Sequence, residues 1–335
     1  KTKHMSNTVD FSNYLESYKN IVSKLKKKSF LRKPNYAEAS DQLNSLVAAL
    51  KREKSNHIYA AFCLLAVARA EKALKHSTLE ANAYADAGYI FWENELERND
   101  VYSLGFEEDV LEAVNCYLLA VNIYKSQKKF SVVASLYFEM AEILKKLDKF
   151  VQASEYFQKA AELQQHEVPL SAINSLQNSI DCHIRLREYK AAYTDLLWII
   201  KLAMETNSLQ FLLKAETSNN NLGGRKPIFK HTVFAKVLVE ARISLVLLLL
   251  LMNDIGQAKD FIKCLSDDAL NCEIDFDPYI IHCLQQLVTA SDGLDMDSLR
   301  LLNQELWVYL TEDQRTLMTI LLNECQQIKI KLLKS

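Results

Sequence analysis

The sequence predicts an all-α protein, an α-solenoid built of repeated helical hairpins, with about 14 antiparallel helices in a right-handed superhelix. Its 335 residues are 49% hydrophobic and include only six Gly and four Pro, so helices can be long and rarely interrupted. An aromatic residue opens a helix after a short polar turn about every 20 residues, at Phe130, Phe150 and Tyr189, with Leu170 in the remaining slot. Each helix carries one apolar stripe, which a single hairpin cannot cover. Neighbouring hairpins must therefore stack.

The breaks between apolar-periodic stretches mark the individual helices, and no strand alternation appears between them. Pro34 fixes φ at a helix start and disfavours helix at Lys33. Asp295 and Thr311 are suitable N-caps for the segments that they open. The predicted helices are 8–28, 36–53, 57–76, 79–98, 107–127, 130–147, 150–166, 170–187, 189–206, 232–253, 255–266, 278–291, 295–309 and 311–333.

The hairpin formed by 130–147 and 150–166 has the clearest repeat pattern. Its large and small residues fall where a tetratricopeptide repeat has them, and small residues at these positions let two helices approach closely. Other hairpins keep only part of the pattern, which is typical of irregular, SNAP-like repeats. The matching residues are Tyr137, Met140, Ala141, Leu144, Phe150, Ala153, Phe157 and Ala160.

One segment, 208–230, is rich in Asn and Gly and poor in residues that could bury surface. We expect a flexible loop there, between an amino-terminal helical part (6–207) and a carboxy-terminal part (231–335) of the same solenoid. Residues 1–5, with Lys1 to His4 before Met5, are typical of an expression-vector remnant and are left out of the fold prediction.

The most apolar run, Ile243 to Met252, is too short to cross about 30 Å of hydrocarbon as a helix. We therefore expect a buried helix and no integral membrane segment. The seven cysteines form no CxxC pair, which favours reduced, mostly buried thiols in a cytoplasmic protein.

Charge is distributed unevenly along the chain. Lys19 to Lys33 holds seven basic and no acidic residues. This stretch could be a solvated helix face, a contact for an acidic protein, or a contact for phospholipid or nucleic acid. Nucleic acid is disfavoured, because the rest of the chain is acidic and has no second basic face with stacking aromatics. The candidate partner-binding residues here are Lys26, Lys27, Lys28, Arg32 and Lys33.

Asp267 to Asp313 has the opposite bias, with eleven acidic residues against Arg300 alone. It is either a solvated surface or a contact for a basic partner surface. The candidate residues are Asp292, Asp295, Asp297 and Trp307. Trp92, Trp198 and Trp307 are more typical of a core, although a Trp on the flank of a solenoid would be a natural binding anchor.

No motif organises catalysis or cofactor binding. Cys272, His282 and Cys283 could suggest zinc, but a ten-residue gap and the lack of a second ligand pair argue against it. There is no nucleophile elbow, Gly-rich phosphate loop or HExxH helix. We expect no enzyme activity, no cofactor and no metal.

Several stretches resemble the forty-kilodalton huntingtin-associated (factor-VIII-intron-encoded) family. The likeness is most specific near the start of the chain and scattered over nearly all of the remainder. The main departure is at 208–230, where mammalian relatives have a long proline-rich insert. The similar segments include Phe30-Leu31-Arg32-Lys33-Pro34-Asn35, Tyr59-Ala60-Ala61, Leu65-Ala66-Val67-Ala68-Arg69, Pro169-Leu170, Trp307, Leu310-Thr311 and Gln314.

The resemblance implies a non-catalytic scaffold that binds huntingtin, as a 1:1 heterodimer, between its HEAT-repeat regions. It also implies a link to early endosomes through a Rab GTPase, and a cytoplasmic protein with endosomal and nuclear pools. The alternative is a SNAP-like membrane-trafficking adaptor that binds coiled coils or lipid.

Overall fold

The protein is all-α, as the sequence predicts. The computed structural model describes residues 11–26, 34–52, 57–100, 108–217, 233–270 and 276–334, and these ranges contain fourteen helices and no strand. The helices are α1 (Phe11–Lys26), α2 (Tyr36–Leu50), α3 (His57–Leu74), α4 (Ser77–Asp100), α5 (Glu108–Ser126), α6 (Phe130–Lys146), α7 (Phe150–Gln164), α8 (Pro169–Arg185), α9 (Tyr189–Thr217), α10 (Val233–Leu251), α11 (Ile255–Leu270), α12 (Pro278–Asp292), α13 (Met296–Leu306) and α14 (Glu312–Lys334).

Several helix ends differ from the predicted ones; α2 ends at Leu50 rather than 53, and α11 continues to Leu270 rather than 266. Helix α9 continues to Thr217, so the loop predicted for 208–230 begins later than expected. The weak helix formers at 206–208 are followed by a stretch rich in Leu, Gln and Lys, which favour helix and carry α9 onward. Residues 218–232 lie outside the described part of the chain. Helix α13 ends at Leu306, short of the predicted 309.

Six of the described turns between helices share one backbone feature. A residue with positive φ follows the helix end at Lys75, Lys128, Asp148, Arg187, Asn253 and Leu294. At five of these turns the next N–H donates to the carbonyl five residues earlier, which is the Schellman closure of a helix end. These bonds are His76 N to Glu71 O, Lys129 N to Tyr124 O, Glu188 N to His183 O, Asp254 N to Leu249 O and Asp295 N to Ala290 O.

This closure explains the spacing that the sequence shows. Each Schellman turn uses only two or three residues before the next helix starts, at Phe130, Tyr189, Ile255 and Met296. The turns reverse the chain within a few residues, so consecutive helices can pack side by side.

The chain divides into two compact units, Lys1–Asp148 and Lys149–Ser335. In the first unit each of α1 to α5 packs on the next helix in the chain. In the second, α7 to α14 pack in the same consecutive way, and α10 also contacts α12 and α14. Helices α9 and α10, on either side of the predicted loop, pack against each other.

Small residues lie where helices are most tightly packed. Ala141 is fully buried in the first unit, and Ala153 and Ala160 are fully buried in the second. Gly88 on α4 lies against the ring of Tyr117 on α5, where an added Cβ would stand 2.4 Å from a ring carbon. A glycine at this position therefore sets the distance between the two helices.

The leucine run forms the buried helix that the sequence predicts, with Ile243 and the residues Leu245 to Leu251 all in the core of the second unit. In the part of the chain that the structure describes, no helix combines the length and hydropathy needed to cross a bilayer. Trp92 is fully buried and Trp198 packs against the core. Five of the six described cysteines are buried free thiols, and Cys264 is an exposed one.

Candidate interaction surfaces

Four large apolar side chains are exposed together near the junction of α13 and α14. We call Tyr279, Trp307, Val308 and Tyr309 the Trp307 surface. Trp307 is 44% exposed and Val308 81%, and the rings of Tyr279 and Tyr309 lie 5.9 Å apart. An exposed apolar cluster of this kind marks an interaction site more often than isolated surface residues do.

Arg315 on α14 fixes the position of Trp307. Its Nε donates a 3.0 Å hydrogen bond to the Trp307 carbonyl, and its guanidinium lies 5.1 Å from the centre of the indole ring. The indole is therefore held on the surface before any partner arrives, which lowers the entropic cost of binding.

The sequence-predicted aspartates lie at the other end of α13. Asp292 ends α12 and pairs with Lys259 (Nζ to Oδ2, 2.7 Å), while Asp297 is 98% exposed and 4.0 Å from Arg300. Helix α13 has 11 residues, so it separates these groups from Trp307 by roughly 16 Å. The structure brings the aspartates together but does not place them beside Trp307.

Asp295 has a structural role in addition to its charge. Its Oδ1 accepts hydrogen bonds from the backbone N–H groups of Asp297 and Ser298, which caps the start of α13 as predicted. The Ser298 hydroxyl donates to Oδ2 at 2.6 Å. The hydrogen bond from the Ser298 hydroxyl contributes most, and together these bonds lower the pKa of Asp295 below its usual value.

Acidic residues other than the predicted aspartates lie beside the Trp307 surface. The Tyr279 hydroxyl donates to Glu305 Oε2 at 3.4 Å, and Glu312 is exposed at the start of α14. The acidic character predicted for this part of the chain therefore reaches the Trp307 surface, through Glu305 and Glu312 rather than through the predicted aspartates.

Most of the predicted basic site lies outside the described residues. Lys26 is the last residue of α1, and Lys27, Lys28, Arg32 and Lys33 lie outside the described residues. Their role in binding a partner stays a prediction.

A second apolar surface, not predicted from the sequence, lies in the first unit. Helices α1 and α3 and the end of α2 enclose a groove of about 270 Å³, which we call the Phe62 groove. Phe62 is 47% exposed, and its ring meets that of the buried Phe91 edge to face at 5.6 Å. Burial raises the pKa of Cys63 to about 11, so this thiol is neutral and adds no charge to the groove. The groove is lined by Tyr14, Leu15, Tyr18, Leu50, Tyr59, Phe62 and Cys63.

The second unit also contains a buried polar cluster centred on Asp195 of α9. Its carboxylate accepts hydrogen bonds from Ser179 Oγ at 2.6 Å and from Gln158 Nε2 at 2.8 Å. His183 Nε2 lies 3.7 Å from Asp195 Oδ2, and His183 Nδ1 lies 3.0 Å from Glu188 Oε2. Ser179 is fully buried, so this Ser, His and Asp arrangement joins α7, α8 and α9 without access to a substrate.

The contribution of Asp195 to the free energy of unfolding should depend on pH. Burial raises its pKa above 3.8, although the bonds from Ser179 and Gln158 oppose the change. The folded state then holds this proton more tightly than the unfolded state, so the contribution of Asp195 to stability falls as pH rises from about 4 through the raised pKa. We expect Asp195→Asn to cost more free energy of unfolding at about pH 4 than at about pH 7.

Urea unfolding of the wild type and this variant at both pH values measures the difference. An equal cost at both, or a larger one at pH 7, would show that Asp195 is not a desolvated carboxyl.

Among the described residues, no group of three or more His, Cys, Asp or Glu side chains could hold a metal ion. Cys272, one member of the zinc alternative, lies outside those residues.

Of the two apolar surfaces, the sequence indicates only Trp307 as a candidate binding residue. The sequence predicts that Trp307, Val308 and Tyr309 belong to a helix, whereas they form the connection after α13 and are 44%, 81% and 47% exposed. Tyr59 and Phe62 lie on the same helix as a buried stripe, and only the packing of α1 shows that they stay exposed.

Comparison with known proteins finds relatives of this chain. Over 93% of this chain and 92% of the relatives, it is 28% identical to the 40-kDa huntingtin-associated proteins of Mus musculus and Rattus norvegicus. It is 24% identical to the alpha-soluble NSF attachment protein of Vitis vinifera over 55% of this chain and 59% of that protein. The resemblance stated from the sequence is confirmed.

The sequence profile of the soluble NSF attachment protein family, SNAP, matches residues 16–216. This match covers α1 from Glu16 onward, α2 to α8 and nearly all of α9. It includes the Asp195 cluster and all of the Phe62 groove except the lining residues Tyr14 and Leu15. The chain belongs to the soluble NSF attachment protein (SNAP) family.

Proposed function

We propose that this protein is a non-catalytic scaffold that binds huntingtin and stabilises it between its HEAT-repeat regions. The observation that carries the proposal is the similarity, over nearly the whole chain, to proteins named for association with huntingtin. The preorganised Trp307 surface supports it, because aromatic anchors held in place by neighbours are typical of interface hot spots. In the proposed complex the partners are present 1:1.

Charge gives the scaffold a means of orientation. In this proposal the acidic surface around α13 meets a basic surface of huntingtin, and the stretch Lys19 to Lys33 meets an acidic one. Complementary charges at the rim of an interface speed association, and apolar contacts then slow dissociation. The Trp307 surface supplies the apolar contact in this account.

The association rate tests the role of the acidic surface. We expect the combined variant Asp292→Asn, Asp295→Asn and Asp297→Asn to bind huntingtin more slowly and with a shallower salt dependence than the wild type. The Debye length shortens from about 10 Å at 0.1 M salt to about 3 Å at 1 M, so this rim attraction is screened over that range. Asn retains the capping of α13 at position 295.

A matched control has the same change in net charge on another part of the same unit. Glu155, Glu162 and Glu167 are exposed on α7 and just after it, and their replacement by Gln should leave the association rate near the wild-type value. If both triple variants associate at the wild-type rate at low salt, the acidic surface takes no part in binding.

The second candidate function is that of a SNAP-like trafficking adaptor that binds coiled coils or lipid. The family match over residues 16–216 and the likeness to the Vitis vinifera protein favour it. In the huntingtin-binding proposal, by contrast, the protein is cytoplasmic and has a nuclear pool and an early-endosomal pool. A Rab GTPase recruits the early-endosomal pool. Flotation with liposomes separates the two candidates: strong lipid binding by the purified chain without huntingtin would favour the adaptor.

A further inference from the structure

We propose that the Phe62 groove binds the apolar face of an acidic amphipathic helix of a partner protein. The inference rests on the proposed scaffold function and adds a second, separate contact site with its own chemistry. It concerns only the first unit of the chain.

The lining of the groove suits aliphatic side chains. Leu15 and Tyr59 are each 42% exposed and Phe62 is 47% exposed, and all three line one concave surface. The Cys63 thiol below them is neutral. At about 270 Å³ the groove is smaller and more open than pockets that enclose a small molecule, so it fits a few side-chain anchors of a larger ligand.

The walls of the groove determine the backbone form of the ligand. All lining residues belong to helices α1, α2 and α3, so the groove offers no strand edge to which an extended peptide could add. An amphipathic helix needs no such edge, because its own backbone bonds are satisfied and it binds through side chains at i, i+3, i+4 and i+7.

The charges beside the groove select an acidic helix. Lys51 and Arg52 are exposed directly after the lining residue Leu50, and Lys19 is exposed directly after Tyr18. Glu16, next to Leu15, is the one acidic residue directly adjoining the described lining residues of α1 and α2. The same cations disfavour the basic segment 27–33 of this chain as the occupant.

A designed peptide tests the proposal directly. The probe is a fluorescent peptide of about 16 residues with Leu at i, i+3, i+4 and i+7 and Glu on its other face. Its binding to the full chain is followed by fluorescence anisotropy, beside a peptide with Lys in place of Glu and one with Ser in place of Leu. We expect only the Leu and Glu peptide to bind well, and Phe62→Ala to weaken it about tenfold.

Matched variants separate binding from folding. Phe130, on α6 of the same unit, is 45% exposed and lies outside the groove, so Phe130→Ala should leave binding unchanged. Leu15→Asp should abolish binding, whereas Leu119→Asp, at a 45% exposed position on α5, should not. Replacing Lys51 and Arg52 by Glu should reverse the preference, so that the Lys peptide binds better. Thermal unfolding verifies that each variant is folded.

Three results would overturn the proposal: equal binding by the groove and control variants, no binding of the Leu and Glu peptide, or Phe62-dependent binding of phosphatidylserine vesicles or of a second copy of the chain instead. Huntingtin binding is measured separately. If huntingtin binds but Phe62→Ala leaves peptide binding unchanged, the groove proposal fails and the scaffold stands. If the peptide binds as expected and huntingtin does not, the huntingtin proposal fails and the groove stands.

Discussion

Replacing Gly88 by Ala should destabilise the first unit by about 2 kcal/mol, although Ala is the better helix former by about 1 kcal/mol. The added methyl group would stand 2.4 and 2.7 Å from two ring carbons of Tyr117 and 3.2 Å from the Ala113 carbonyl oxygen. Contacts this short force the ring or the two helices to move. The loss of packing then exceeds the gain in helix propensity.

The ring of Tyr117 cannot move away cheaply. It is 1% exposed, its hydroxyl donates a 2.6 Å hydrogen bond to Glu139 on α6, and its centre lies 6.4 Å from that of the buried Trp92. Burial is the main cause, and the hydrogen bond to Glu139 the next, of a raised pKa of Tyr117. The phenol therefore stays protonated and continues to donate its hydrogen bond to Glu139. A shift of the ring would break this bond inside the unit.

Gly256 on α11 is the control, because the nearest atom to an added Cβ there is Asp254 Oδ1 at 3.9 Å. Gly256→Ala should be neutral or slightly stabilising. Thermal and urea unfolding of both variants measure the two effects. A Gly88→Ala variant as stable as the wild type would show that α4 and α5 pack less closely than described here.

Replacing Trp307 by Ala should weaken huntingtin binding by about 30-fold or more, which corresponds to about 2 kcal/mol. Trp307 is exposed and held in place by Arg315. We therefore expect its side chain to contribute mainly to the free energy of binding and little to the free energy of folding. Circular dichroism and the melting temperature should stay close to the wild-type values.

Leu197→Ala is the matched control for Trp307. Leu197 lies on α9 in the same unit and is 41% exposed, but it is not part of the Trp307 surface. Titration by biolayer interferometry gives the dissociation constants of both variants. Equal affinities for the two would remove Trp307 from the binding site.

Helix content could be predicted from the sequence because each helix has its own apolar stripe and its own polar turn. The regular turn at Lys128 to Phe130 is an example. The positive φ of Lys128 and the hydrogen bond from Lys129 N to Tyr124 O reverse the chain within the few residues that the repeat spacing leaves between helices. The leucine run was predicted correctly for a different reason: a helix that is apolar on every side must be buried.

The surfaces could be predicted less well, because exposure depends on which helix lies beside which. The sequence marks Trp307 as a possible anchor, but its setting comes from Arg315 on the next helix and from the early end of α13. The Phe62 groove requires α1 to pack beside α3, and hydrophobic periodicity within one helix carries no information about that contact. The role of Asp295 as a cap was predictable, since capping is local.

The proposed function requires this chain to form a 1:1 complex with huntingtin. The most direct test mixes purified chain and purified huntingtin at about 1 μM each and measures the mass by size-exclusion chromatography with multi-angle light scattering. We expect one species with the summed mass of one copy of each protein, and less of this species for Trp307→Ala. Two separate peaks at the masses of the free proteins would contradict the claim.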